Sequence, residues 1–204
     1  MRKARKPLCL LLCAVLLLSM SAAALGANNN YSSWFQTNYD EINKLGLMPA
    51  SFNGLDLTKD ITRGEMCELA VYAFEKATGN DIDMSNETFT GFTDTSNENI
   101  VKAHLYGIVN GYGDSLFGPN DPVTREQLAA ILYRYAVYGG MTAVTLEENL
   151  GSFADTAQLS AYAIQAMNWA VGQGLINGSG SNLVPKAQAT RAQVAAIIHR
   201  YLER

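Results

Sequence analysis

The sequence predicts a mostly helical domain built from three copies of one helix–loop–helix unit. Two observations carry this expectation. The pair Thr-Arg recurs at Thr62, Thr124 and Thr190, each time opening a run with apolar residues at helical spacing. Each pair also follows a glycine-bearing turn, and the separations of 62 and 66 residues are longer than most solenoid periods but regular.

The third unit is the clearest. Its first helix is expected over about 158–173, where Ala163, Ala166, Met167 and Ala170 recur at three- to four-residue spacing. Gly174 stands where a C-terminal glycine would stop that helix, and Asn177-Gly178 is a turn signal suited to positive φ. A second helix follows over about 190–202. The second unit has the same parts, with a first helix shorter by about six residues. "GIVNGYGDSLFGPNDPVTRE" (107–126) aligns with "GLINGSGSNLVPKAQATRAQ" (174–193), and Phe-x-Asp entries stand upstream at Phe92 and Phe153. The first unit is degenerate, with helices over about 33–45 and 62–78, no Phe-x-Asp entry and an altered loop carrying Pro49.

The second helices align without gaps. Met66, Leu128 and Val194 share one position, Cys67, Ala129 and Ala195 the next, and Ala70, Leu132 and Ile198 follow a turn later. Cys67 therefore fills a slot taken elsewhere by alanine and reads as a small core residue rather than a reactive thiol. The linkers, "GNDIDMSNETFT" and "GGMTAVTLEENLG", are polar and rich in turn formers.

The first 26 residues read as a secretory signal peptide: four basic residues in 1–6, an apolar run over 8–18, then small residues. The run is shorter than the roughly 20 apolar residues of a membrane span, so no span is expected in the mature form. Removing the signal leaves 11 basic against 19 acidic residues, a net charge of −8. An acidic secreted protein is a poor match to nucleic acid, which needs a basic stripe. Of three cysteines only Cys67 remains, so stability must come from packing.

All three helix starts, Thr62-Arg63-Gly64-Glu65, Thr124-Arg125-Glu126-Gln127 and Thr190-Arg191-Ala192-Gln193, fit the capping box. The cap explains Thr and Glu or Gln, but not the arginine, which stands at the positive end of the helix dipole. A thrice-repeated Arg there needs a negative partner. One candidate is a carboxylate of the neighbouring unit, Asp94 or Asp155. The other is an external anion, met by free helix N–H groups and a bidentate guanidinium.

Phe-x-Asp, a helix, Gly-Ile-Val-Asn-Gly-Tyr-Gly-Asp-x-x-Phe-x-Pro-Asn and then Val-Thr-Arg-Glu-Gln together resemble the S-layer homology repeat of bacterial envelope proteins. The resemblance spans about 31–204, is strongest in the second unit and partial in the first. Gln127 and Gln193 stand where the family usually has Glu. It divides the chain into a signal peptide (1–26) and repeats at 27–80, 88–140 and 150–204, with 27–204 forming one domain. It implies a pseudo-threefold bundle with short extended segments, located in the cell wall or S-layer. Grooves between its lobes would bind a secondary cell-wall polymer, often bearing pyruvylated amino sugars. Carried over by position, Arg63, Arg125 and Arg191 would lie in those grooves, with Asp94, Asp155, Gly111 and Gly113 beside them.

Catalysis, cofactors and metal are not expected. His104 and His199 read as solitary, one on each of two helices, with no Cys or acid at ligand spacing, and no Gly-x-Ser-x-Gly or His-Glu-x-x-His motif occurs. "GDSLFGPND" misses the alternating acids of a calcium loop and reads as a turn. The alternative to glycan binding is a protein-interaction module for an envelope partner. Its arginines would be internal salt-bridge staples, and aromatic residues such as Tyr112, Tyr162 and Trp169 its partner surface. Trp169 is the aromatic candidate for ligand contact, against a role in helix packing.

Overall fold

The computed structural model describes residues 30–79, 81–84, 89, 91–140 and 149–203. The signal-peptide expectation (1–26), half of the first linker and most of the second lie outside the described residues. Six α-helices occur among the described residues: α1 (Gln36–Lys44), α2 (Arg63–Thr78), α3 (Glu98–Leu105), α4 (Arg125–Tyr138), α5 (Ile164–Gly172) and α6 (Arg191–Leu202). The rest of the described chain is turns, short 3-10 segments and isolated β-bridges, so the mostly helical expectation holds. Among the described residues, no helix is long and apolar enough to cross a membrane.

The long helices α2, α4 and α6 start alike. Thr62, Thr124 and Thr190 are extended (φ −84°, −77° and −85°), and each forms a complete capping box with Glu65, Gln127 or Gln193. The aligned core positions are buried in all three: Met66, Leu128 and Val194, then Cys67, Ala129 and Ala195, then Ala70, Leu132 and Ile198. Burial pushes the Cys67 thiol up to about 12, which removes the thiolate a reactive cysteine needs.

The residue before each Thr closes a ring. The Ile61 N–H donates to the Ala189 carbonyl (2.9 Å), Ala189 to Val123 (2.8 Å) and Val123 to Ile61 (3.1 Å). All three residues are fully buried, so each amide must find a protein partner, and the cyclic arrangement supplies one. A second cycle surrounds the first. The Arg63 and Gly64 N–H groups donate to Asp121 and Pro119, Arg125 and Glu126 to Ala187 and Pro185, and Arg191 and Ala192 to Lys59 and Leu57. Each long helix thus plugs its first two amides into the loop of the next unit, and the last into the first. That is the pseudo-threefold axis.

The short helices obey the same rotation. α3 packs on α2, α5 on α4, and α1 returns from the start of the chain to pack on α6. Every lobe therefore pairs a long helix with the first helix of the following unit. The first helices are shorter than their sequence periodicity suggests. α1 is preceded by a 3-10 turn at Ser33–Phe35, and α5 by turns at Thr156–Gln158 and Ala161–Ala163. Consequently α3 and α5, at 8 and 9 residues, are nearly equal, correcting the expected six-residue difference. Gly46, Gly107 and Gly174 follow α1, α3 and α5 with φ of 65°, 68° and 61°, the left-handed position that ends a helix.

Candidate functional site

The ring decides where the three arginines point. Each reaches from its own helix start into the loop of the next unit. Nε of Arg63 donates to the Phe117 carbonyl (3.0 Å) and Nη2 to the Asn110 carbonyl (2.8 Å). Nε of Arg125 donates to the Leu183 carbonyl (2.9 Å), the equivalent of Phe117. Arg191 behaves differently. Its Nε and Nη2 donate to Glu65 Oε2 (2.9 Å) and Oε1 (2.7 Å), and Nη1 donates to the Asp56 carbonyl (3.1 Å).

Two cavities open beside the first two arginines. One, of about 230 Å³, is lined by Arg63, Asn110, Gly111, Tyr112, Gln127, Arg134 and Tyr162. The other, of about 220 Å³, is lined by Arg125, Asn177, Gly178, Gln193, Arg200 and Trp34. The linings correspond position by position. Asn110-Gly111 matches Asn177-Gly178, Gln127 matches Gln193, and Arg134 and Arg200 each stand nine residues after the helix-start arginine. Each cavity thus holds two guanidinium groups and an exposed aromatic face. Tyr112 is 57% and Tyr162 54% exposed at the first, and Trp34 is 52% exposed at the second.

The Arg63 guanidinium lies 4.4 Å from the ring centroids of both Tyr112 and Phe117. Such stacking fixes the fork without consuming its in-plane donors. Burial draws the Arg125 guanidinium below its ordinary value, and Asp155 opposes that shift. A cation partly stripped of water without an ion-pair partner gains most from an incoming anion.

Asp94 and Asp155 do not pair with these arginines directly. Asp94 accepts from the Phe117 N–H (2.9 Å) and Gly118 N–H (2.7 Å), and Asp155 from the Leu183 N–H (2.7 Å) and Val184 N–H (2.8 Å). The Gly118 N–H bond, with Phe117 and then Arg63 behind it, holds the Asp94 carboxyl below its usual range. At Asp155 burial pushes upward, but the Leu183 and Val184 amides and Arg125 prevail and the net shift is downward. The two acids clamp the loops whose carbonyls receive the neighbouring helix, so they position the grooves rather than line them.

Gly111 lines the first cavity, and its role is close packing. A Cβ there would stand 2.5 Å from the Leu116 carbonyl oxygen and 2.7 Å from the Phe92 ring. Gly178 repeats this against Asn182 and Phe153. The phenylalanine of each Phe-x-Asp entry lies on the loop glycine, while the Asp holds the same loop. Gly113 is a turn residue (φ 96°) outside the cavity lining.

Three expectations need correction. The helix N-termini offer no free amides at N1 to N3: neighbouring carbonyls take the first two and the threonine hydroxyl the third. Trp169 is 2% exposed, packed edge-on against Tyr133 and Tyr201, so it belongs to the core. His199 is not isolated in space: α1 brings Glu41 near it, and its Nε2 lies 3.5 Å from Glu203. Arg134, Arg200, Trp34 and the groove role of Gln127 and Gln193 escaped the sequence reading. The nine-residue interval from Arg125 to Arg134 and from Arg191 to Arg200 was the signal available for the second arginines.

Residues 92–129 and 152–195 match the S-layer homology domain. They contain the Phe-x-Asp entries, the loops and the Thr-Arg starts of the second and third units. Among curated proteins, exoglucanase XynX of Acetivibrio thermocellus is 34% identical over 156 residues, 72% of this chain and 13% of that protein. The amylopullulanase of Thermoanaerobacterium thermosulfurigenes is 36% identical over 132 residues, 60% of this chain and 7% of that protein. The surface-layer 125 kDa protein of Lysinibacillus sphaericus is 27% identical over 188 residues, 90% of this chain and 15% of that protein. The chain thus spans less than a fifth of the length of each. The S-layer homology segments and the surface-protein relatives mark the chain as a secreted, cell-wall-associated protein.

Proposed function

We propose that this protein binds non-covalently to an anionic secondary polymer of the bacterial cell wall, through the grooves at Arg63 and Arg125. The observation that carries this reading is the pair of matching cavities, each with two arginines and an exposed aromatic side chain. A guanidinium fork suits a carboxylate or phosphate, and an aromatic face suits the apolar side of a sugar ring. Pyruvylated amino sugars supply both features in one residue, a ketal carboxylate on a pyranose, and are the ligand class proposed. The first unit, whose helix start joins the same hydrogen-bonded ring, counts in this reading as a third repeat of the family. The role is adhesion rather than catalysis.

The interaction-module alternative has one observation in its favour: Arg191 is an internal staple. It does not account for Arg63 and Arg125, which make no ion pair among the described residues. Sedimentation with purified sacculi, before and after chemical removal of the non-peptidoglycan polymer, tests the proposal. Binding should be lost with the polymer. Undiminished binding to stripped sacculi would overturn it.

A further inference from the structure

We infer that Glu41, His199 and Glu203, gathered where α1 packs on α6, form a site for a divalent transition-metal cation of the Zn²⁺ kind, which pins the first helix of the fold to the last. None of the three residues lines either arginine cavity, and the inference does not rest on the glycan-binding reading.

Each lobe has a seam between its long and short helices, and the repeat makes three seam positions equivalent. Two stand 8 and 12 residues after the arginine that opens the long helix, and the third stands 5 residues before the glycine that ends the short one. In the α2–α3 lobe they are Val71, Glu75 and Lys102, and the last two form an ion pair at 2.7 Å. In the α4–α5 lobe they are Tyr133, Val137 and Trp169, with the two rings edge to face at 5.6 Å. In the α6–α1 lobe they are His199, Glu203 and Glu41. One seam is thus closed by opposite charges and one by apolar packing, whereas the third sets two carboxylates together. Like charges sharing a site are unfavourable unless a cation joins them, and the lysine that answers Glu75 is here a second acid.

His199 supplies a second, independent observation. Its side chain is 3% exposed, and its Nε2 is buried with no hydrogen-bond partner among the described residues. A buried, unpaired ring nitrogen costs stability, and Val71 fills the equivalent position without that cost. The nitrogen faces the acids. Nε2 lies 3.5 Å from Glu203 Oε1, and one ligand atom from each of the three residues falls within 4.8 Å of the others. Burial holds the imidazole in place, while both glutamates are exposed and can swing to admit an ion and close on it at the roughly 2.0–2.2 Å of nitrogen and oxygen ligands. One imidazole nitrogen with two carboxylate oxygens suits Zn²⁺ or a neighbouring first-row cation, not Ca²⁺ or Mg²⁺, which take oxygen shells. Glu203 is the C-cap of α6, so the ion would also sit at the negative end of that helix dipole.

Calorimetry and melting curves of the untagged full chain, stripped with EDTA and titrated with ZnCl₂, test the site. The native protein is expected to bind one Zn²⁺ per chain and to melt higher with it, while equal concentrations of Ca²⁺ or Mg²⁺ leave melting unchanged. Glu41→Gln and Glu203→Gln alter exposed side chains and should keep the fold. Each should weaken Zn²⁺ binding by about tenfold or more, the least that losing even an outer partner costs a metal site. Glu41→Gln should also reverse sign: melting at or above native in EDTA, because a repelling charge is gone, and below native in Zn²⁺. His199→Ala should lose the Zn²⁺ response, and the two glutamine variants read the site even if that exchange unfolds the chain. Native melting that Zn²⁺ does not raise, a Zn²⁺ gain that both glutamine variants keep, or an equal gain from Ca²⁺ would each overturn the inference.

Discussion

Arg191 and Glu65 meet fork to fork, 2.9 and 2.7 Å across their two hydrogen bonds, although 126 positions separate them in sequence. The contact joins the last long helix to the first and closes the ring. Both side chains are largely shielded from water, so their loss should be felt. Arg191→Ala should destabilise by about 1.5–3 kcal/mol, the range for hydrogen bonds to charged groups, and leave sacculus binding unchanged. Denaturant unfolding together with sedimentation checks both halves.

The capping threonines are structural. Thr124→Ala should cost about 1 kcal/mol and retain sacculus binding, since Arg125 and Gln193 are untouched. Thermal melts and sedimentation on one preparation separate the two effects. A variant with native melting and no binding would reassign Thr124 to the ligand.

How far the sequence could be read depended on the range of each interaction. The capping boxes and the left-handed glycines are local, and they were legible from a few residues each. The core positions repeat along the long helices, and their alignment found them. The closing contact was not legible. The motif suggested Asp94 or Asp155 as the carboxylate partner, yet each is taken by two backbone amides of its own loop. Glu65 satisfied a local rule as a cap, which concealed that both its oxygens also serve the far end of the chain. Trp169 misled in a simpler way: an aromatic residue on a short helix looks alike in sequence whether it faces sugar or core. The helix termini looked available because an isolated helix leaves its first amides unpaired, and only the ring shows what fills them.

The loop glycines should tolerate no side chain. Gly111→Ala places a methyl 2.5 Å from the Leu116 carbonyl oxygen and 2.7 Å from the Phe92 ring. Overpacking of this kind typically costs about 1–3 kcal/mol, and the displaced loop should also weaken binding at the Arg63 groove. Denaturant unfolding and calorimetry would show both losses.

Asp94 makes stability depend on acid. Its carboxyl lies below the ordinary 3.8, chiefly through the Gly118 N–H. A depressed carboxylate stabilises the fold above its unfolded pKa and loses that contribution as pH falls through the folded value. Asp94→Asn should therefore melt lower than native at pH 7, with the gap narrowing below about pH 4. Melting curves across that range test it, and a gap independent of pH would argue against the clamp.

Sacculus binding by Arg63→Ala/Arg125→Ala asks whether these two arginines hold the wall polymer. With native-like melting, this double variant should bind intact sacculi no better than native protein binds sacculi stripped of their secondary polymer. A folded double variant that still sediments with intact sacculi as the native protein does would rule out polymer binding through Arg63 and Arg125.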